Sequence, residues 1–144
     1  MTQTRKVPEG YNRLQPYLIQ SNCRAAMDFY IKIFNAKEKL VMPRDNGGIM
    51  HAELDFNGSI MMLADEHPEI EAYAPAHYGG SPVGMLIYVD DCDASYNSAL
   101  AAGATSLREP ADQPYGDRMA GVTDPFGYKW WIAHSLGKAE ETKS

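Results

Sequence analysis

Residues 49–64 read Ile-Met-His-Ala-Glu-Leu-Asp-Phe-Asn-Gly-Ser-Ile-Met-Met-Leu-Ala. Side chains alternate cleanly through 49–56. Met50, Ala52, Leu54 and Phe56 share one side, and His51, Glu53 and Asp55 the other, which is the period of a half-buried strand. Asn57-Gly58 then supplies the residue pair that best tolerates the positive φ angles of a two-residue hairpin turn. A second strand follows over 59–64. A two-residue turn sets the register: Phe56 opposes Ser59, Glu53 opposes Met62 and His51 opposes Ala64. Opposed residues share a face, so His51, Glu53 and Met62 stand together.

Upstream of this hairpin, Ser21 and Asn22 are good N-caps for a helix over 24–34. Its apolar stripe is Ala26, Met27, Tyr30, Ile33 and Phe34, and Asn35 can take the left-handed conformation that ends it. A first strand runs through Leu14, Tyr17 and Ile19, and another lies near 37–42. The same order returns downstream. Asn22-Cys23 recurs as Asp91-Cys92 and Asn57-Gly58 as Phe126-Gly127; Met62 falls opposite Trp131, and Gln15 opposite Gly84. The offset is constant (92−23, 127−58, 131−62 and 84−15 all equal 69). An internal repeat decides architecture before any single motif does. The second copy reads as a strand over 84–89, a helix over 93–102 stopped by Gly103, and strands over 104–108, 118–123 and 128–134. The chain therefore divides into an arm (1–10), a first β-α-β-β-β module (11–65), a linking loop (66–82), a second such module (83–134) and a polar tail (135–144).

Composition narrows the function. With 144 residues and 44% apolar content, the chain is of ordinary globular size and make-up. A net charge of −6 with no cluster of Lys and Arg argues against nucleic acid. No apolar run approaches the roughly 20 residues of a membrane span, and the polar start lacks the apolar core of a signal peptide. The reading is a cytoplasmic protein. Cys23 and Cys92 occupy matched positions in the two copies, so no disulfide is expected between them. Tyr73, His77 and Tyr78 in the linking loop could form a lid, but suit contacts with another protomer better.

A doubled β-α-β-β-β unit carrying Pro16-Tyr17-Leu18-Ile19, Met50-His51-Ala52-Glu53-Leu54, Met62-Leu63-Ala64-Asp65-Glu66, Gly79-Gly80-Ser81-Pro82-Val83, Tyr115-Gly116-Asp117-Arg118 and the turn Asp124-Pro125-Phe126-Gly127 resembles the vicinal oxygen chelate superfamily. That superfamily includes glyoxalase I, extradiol dioxygenases, fosfomycin-resistance enzymes and bleomycin-resistance proteins. The chain is most similar to its PhnB-like branch, over nearly all of residues 7–134. The resemblance implies an α+β fold in which two modules form a partly open antiparallel barrel, a cup with helices outside, and a homodimer. In metal-dependent members, the first and last strands of each module each supply one ligand. Carried over, those positions are Gln15, Met62, Gly84 and Trp131. An amide, a thioether, a hydrogen and an indole do not make a divalent-metal site, so neither metal nor other cofactor is expected.

What lines the cup instead follows from alternation and the repeat. Gln15, Tyr17, Met62, His51 and Glu53 come from the first module. Leu86, Tyr88 and Trp131 come from the second, with Ala120 and Val122 beside Trp131 and Arg118 further along the same face. Apolar and aromatic walls with a few polar groups are typical of small-molecule pockets. Trp131 suits stacking on a planar ligand, and Arg118 suits an anionic group. Glu53 in such surroundings is a candidate general base of raised pKa, with His51 sharing the proton. The function expected is binding and sequestration of a small planar or cationic organic compound, as in bleomycin-resistance proteins. The competing reading is a glyoxalase-like lyase or isomerase, or a dioxygenase, using Glu53 and His51 as base or, with Gln15, as an unorthodox metal site.

Overall fold

The computed structural model describes residues 6–137; the start of the arm (1–5) and the end of the tail (138–144) lie outside the described residues. The chain forms two compact units, Met1–Ala74 and Pro75–Ser144. The first holds β1 (Tyr17–Gln20), α1 (Cys23–Phe34), β2 (Lys37–Pro43), β3 (Ile49–Phe56), β4 (Ser59–Asp65) and a short 3₁₀ turn, Pro68–Ile70. The second holds α2 (Pro75–Tyr78), β5 (Gly84–Tyr88), α3 (Cys92–Ala101), β6 (Thr105–Asp112), β7 (Asp117–Thr123) and β8 (Lys129–Ser135). No helix among the described residues is long and apolar enough to cross a membrane.

Helix α1 begins where its cap chemistry places it. The Asn22 side chain accepts the Ala25 N–H at 3.1 Å, and Asn35 ends the helix at φ 59°. The expected stripe is buried, joined by Cys23 and Phe29. Beneath it lie Leu18, Ala52, Leu54, Met61 and Leu63, all buried. Each fully buried aliphatic side chain contributes roughly 1.5–3 kcal/mol, so this apolar layer is what holds helix to sheet. The Asn57-Gly58 turn has φ values of 56° and 112°, and the hairpin register is the expected one, with Phe56 opposite Ser59 and Glu53 opposite Met62.

The strand order is β1-β4-β3-β2 in the first unit and β5-β8-β7-β6 in the second. Each sheet is open and mixed rather than antiparallel throughout. Strand β1 runs parallel to β4, and β5 parallel to β8. Direction counting explains this: two hairpins bring β4 back to the direction of β2, and the helix between β1 and β2 returns the chain so that these two also agree. The first strand is shorter than expected, because Leu14 lies before it and is 84% exposed.

The second unit departs from the repeat at one turn. Thr123 pairs with Lys129, leaving five residues in the β7–β8 connection where β3–β4 uses two. The offset stays 69 for β8 but becomes 68 for β7: Glu53 opposes Met62, whereas Gly121 opposes Trp131 (121−53 = 68; 131−62 = 69). A one-residue change sends every β7 side chain to the other face. Ala120 and Val122 are therefore fully buried, paired with Ile132 and Trp130, and not beside Trp131.

The helix starts differ in a second way. In the first unit Asp65 accepts the Cys23 N–H through Oδ1 at 2.8 Å and the Ile49 N–H through Oδ2 at 2.7 Å. Its equivalent is His134 (134−65 = 69), whose Nδ1 lies 2.8 Å from the Cys92 nitrogen and accepts its N–H. Helix α3 carries Asp93 in its first turn, whereas α1 has no acidic residue there. A neutral acceptor at 134 avoids a carboxylate pair. His134→Ala is expected to lower stability by about 1 kcal/mol, read by urea denaturation. An unchanged midpoint at neutral pH would show that the cap contributes nothing.

Candidate small-molecule site

In each unit the helix covers one face of the sheet, and the strand residues among the candidates, Arg118 excepted, lie on the other. In the first unit, one cross-strand row holds Tyr17, Met62, Glu53 and Leu40, and the next pairs His51 with Met42. His51 and Glu53 come together as the alternation requires. Glu53 is 5% exposed, yet its carboxylate is fully engaged. The Tyr11 hydroxyl donates to Oε1 at 2.5 Å, and His51 Nε2 lies 2.8 Å from Oε2. An ionised carboxylate only accepts, so Nε2 carries the proton. Nδ1 lies 2.8 Å from the Tyr17 hydroxyl and accepts from it whenever the ring carries its proton on Nε2 alone. Tyr17 is 49% exposed. The result is a chain of three hydrogen bonds, Tyr11–Glu53–His51–Tyr17, whose last member reaches the surface.

The electrostatics correct one expectation. Burial pushes the Glu53 carboxyl up, but hydrogen bonds from Tyr11 and His51, with the positive charge of Lys39, outweigh it and hold it below the usual carboxylate range. Glu53 is an anchor for the imidazole, not a base of raised pKa. A depressed carboxylate contributes stability above its unfolded pKa, and that stability is lost as pH falls through the lower folded value. The Tyr17 hydroxyl is held up, first by burial and then by Cys23 and Glu53, so it stays protonated at neutral pH.

Two members of this cluster were not legible beforehand. Tyr11 sits before the first strand. Lys39 is the extra residue of a bulge: Glu38 opposes Leu54 and Leu40 opposes Glu53, so two steps along β2 match one along β3. Bulges re-aim side chains. The Lys39 ammonium stands 5.2 Å from the centre of the Tyr11 ring, beside the Glu53 network. Gln15 lies outside the strand, and its Oε1 accepts the Asn12 N–H at 2.7 Å.

In the second unit the open face carries Leu86 and Trp131 in one row and Tyr88, Ala133 and Met119 in the next. Leu86 and Tyr88 are half-exposed or more. The Tyr88 hydroxyl donates to the buried Asp117 at 2.8 Å. Trp131 is flanked by Gly84 and Gly121, whose added Cβ atoms would fall 2.7 Å from Nε1 and 2.3 Å from Cζ3. The indole therefore spreads across both neighbouring strands, which two glycines allow. Trp130 faces the other way, buried, with Nε1 donating to Asp124 at 2.9 Å.

Arg118 is not on this face. It opposes His134, and its guanidinium forks onto Asp93 of α3 (Nε to Oδ1 2.6 Å, Nη2 to Oδ2 3.0 Å) while Nη1 reaches Asp112 at 2.9 Å. Those hydrogen bonds hold Asp93 below its usual range. The register change at β7 put Arg118 among these partners, and its donors serve structure rather than an anionic ligand.

The four family ligand positions do not fit a divalent metal. Gln15 spends its oxygen on Asn12, Met62 offers sulfur, Gly84 nothing and Trp131 an N–H. A site from His51, Glu53 and Gln15 fails for a related reason, since both Glu53 oxygens and both imidazole nitrogens already have protein partners. Among the described residues no three of His, Cys, Asp and Glu converge to hold a metal ion. Both cysteines are free and buried, and burial first of all pushes the Cys23 thiol up to about 12.

Comparison with known proteins agrees with this fold. The model of the Glyoxalase/Bleomycin resistance protein/Dioxygenase superfamily matches residues 12–132. The uncharacterized Mycobacterium bovis protein Mb0911c is 40% identical over 128 residues, covering 87% of this chain and 82% of its own. The crystal structure of PA1353 from Pseudomonas aeruginosa has a TM-score of 0.68 at 26% identity, over 86% of this chain and 98% of that one. The PhnB protein of Bacillus cereus shares the fold, with a TM-score of 0.64 at 18% identity, over 86% of this chain and 100% of that one.

Proposed function

We propose, from the premise that this chain belongs to the glyoxalase/bleomycin resistance protein/dioxygenase superfamily, that it binds a small planar organic compound without a metal and holds it rather than transforming it. The observation that carries this reading is the Trp131 indole spread over Gly84 and Gly121. Side chains at either position would fill the space the ring occupies. The arrangement gives up side-chain packing in two strands to gain one flat aromatic surface, with Leu86 and Tyr88 beside it. Such a surface suits stacking. The donor chemistry at the family's ligand positions supports the metal-free part. Tyr17, Met62, Leu40 and Met42 offer an apolar and aromatic face in the other unit, with a few polar groups among them.

Tryptophan fluorescence tests this directly, because Trp130 is buried and committed to Asp124 while Trp131 is partly exposed. Titration with a neutral planar probe such as 2-naphthamide should give saturable quenching. Trp131→Leu should weaken binding roughly tenfold, the equivalent of about 1.4 kcal/mol of stacking. Absence of saturable quenching, or affinity indifferent to Trp131, would sink the reading.

A further inference from the structure

We propose that the open face of the first unit takes a planar weak acid, a phenol or enol, and ionises it on binding, the Tyr17–His51–Glu53 chain accepting its proton and Lys39 facing the resulting anion. This goes beyond the stacking surface of the second unit and does not depend on it. The geometry supplies each part. Glu53, buried, binds through Oε2 to His51 Nε2 and fixes the imidazole so that Nδ1 points at Tyr17. Tyr11 occupies the second carboxylate oxygen, so the anion cannot swing away from the ring. The more exposed terminus of the chain is the Tyr17 hydroxyl. When the ring is neutral with its proton on Nε2, the Tyr17 hydroxyl donates to Nδ1, 2.8 Å away, and its oxygen lone pairs are left to receive a donor.

The step balances without a further reactant. The ligand O–H bond breaks and its proton passes to Tyr17 Oη. The proton that Tyr17 held passes to His51 Nδ1. The ligand keeps the bonding pair as an oxyanion, and the imidazolium is held against the Glu53 carboxylate. Tyr17 ends as it began, a neutral phenol, which agrees with surroundings that disfavour a tyrosinate. The Glu53 carboxylate is flanked by Tyr11, His51 and Lys39, and the Tyr17 phenol by Glu53 and the Cys23 thiol. Lys39 is the one cation among them apart from the imidazole itself. It is brought there by the β2 bulge. A neutral ligand would need neither a proton acceptor nor a cation there.

The probe is 4-nitrophenol, whose neutral and ionised forms absorb at different wavelengths. Protein is added at a pH where the free probe is mostly neutral, and difference spectra are recorded. Growth of the nitrophenolate band with protein, saturating at one site, is expected. Tyr17→Phe, at a half-exposed position that should not disturb folding, should remove most of the band, as should His51→Gln. Lys39→Gln should weaken binding severalfold. Trp131→Leu should leave the band in place, so failure of the stacking reading and failure of this one are told apart. A bound probe that stays neutral, ionisation equal in wild type and Tyr17→Phe, or no binding at all would overturn the proposal.

Discussion

Asp124→Ala is expected to cost about 3–5 kcal/mol, the largest loss of any single substitution considered for this protein. The carboxylate is 3% exposed. Oδ1 accepts the backbone N–H groups of Phe126 at 2.9 Å and Tyr128 at 3.0 Å, and Oδ2 accepts the Trp130 indole N–H at 2.9 Å. One side chain thus shapes the β7–β8 connection and pins a buried tryptophan beneath it. Alanine strands these donors away from water, at about 1–3 kcal/mol for each one left unsatisfied. Asp124→Asn would be a milder lesion. The amide carbonyl can still serve the two backbone donors, but its NH2 would face the indole N–H. Against a typical total stability of about 5–15 kcal/mol, the alanine variant should melt on the order of 10 °C lower. Calorimetry or near-UV circular dichroism reads this. A melting temperature within a degree or so of wild type would show that Asp124 is not the pin described.

Gly121→Ala should remove the flat surface of the second unit while leaving its fold in place. The new Cβ would lie 2.3 Å from Trp131 Cζ3 and 2.6 Å from Cε3, distances at which something must move. An indole is rigid, so it must rotate about χ1 and χ2 and lift off the sheet. Overpacking of this kind costs about 1–3 kcal/mol. The diagnostic measurement is a double-mutant cycle with Trp131→Leu. In that background the alanine meets no ring, so the coupling between the two changes should be about 1–3 kcal/mol. In the single variant, tryptophan quenching by 2-naphthamide should fall to the level of Trp131→Leu, and the Trp131 emission should move toward that of a solvated indole. Additive stabilities and unaltered quenching would mean that the ring does not depend on the glycine beneath it.

The two substitutions bracket what could be read in advance. The cap at Asn22, the stripe of α1, the two-residue turn at Asn57-Gly58 and the pairing of Glu53 with Met62 are local. Each depends on residues a few positions apart, and each appears in the structure where periodicity put it. The meeting of His51 with Glu53 is local too, because alternate residues of one strand share a face. Tyr17 beside them needed only the parallel pairing of β1 with β4. Trp131 facing opposite to Trp130 followed from adjacency.

Arg118, Ala120 and Val122 mark where this ended. Their faces depended on the length of the β7–β8 turn. Phe126-Gly127 matched Asn57-Gly58 as text, but Asp124 draws the chain into a longer connection, and the register of β7 changes parity. Lys39 was hidden for a similar reason, since a bulge is set by how two strands settle against each other. The direction of the Glu53 shift was hidden as well, because Tyr11 lies 42 residues away in sequence.

The amino-acid order by itself determined the doubled module, its helices and hairpins, its family, and the unsuitability of residues 15, 62, 84 and 131 as metal donors. These depend on side-chain chemistry and short-range periodicity. Only the tertiary structure decided which face Arg118 takes, which glycines lie under Trp131, and that Tyr11 and Lys39 join His51 and Glu53. Those outcomes hang on strand register, which a single residue in a turn or bulge reverses.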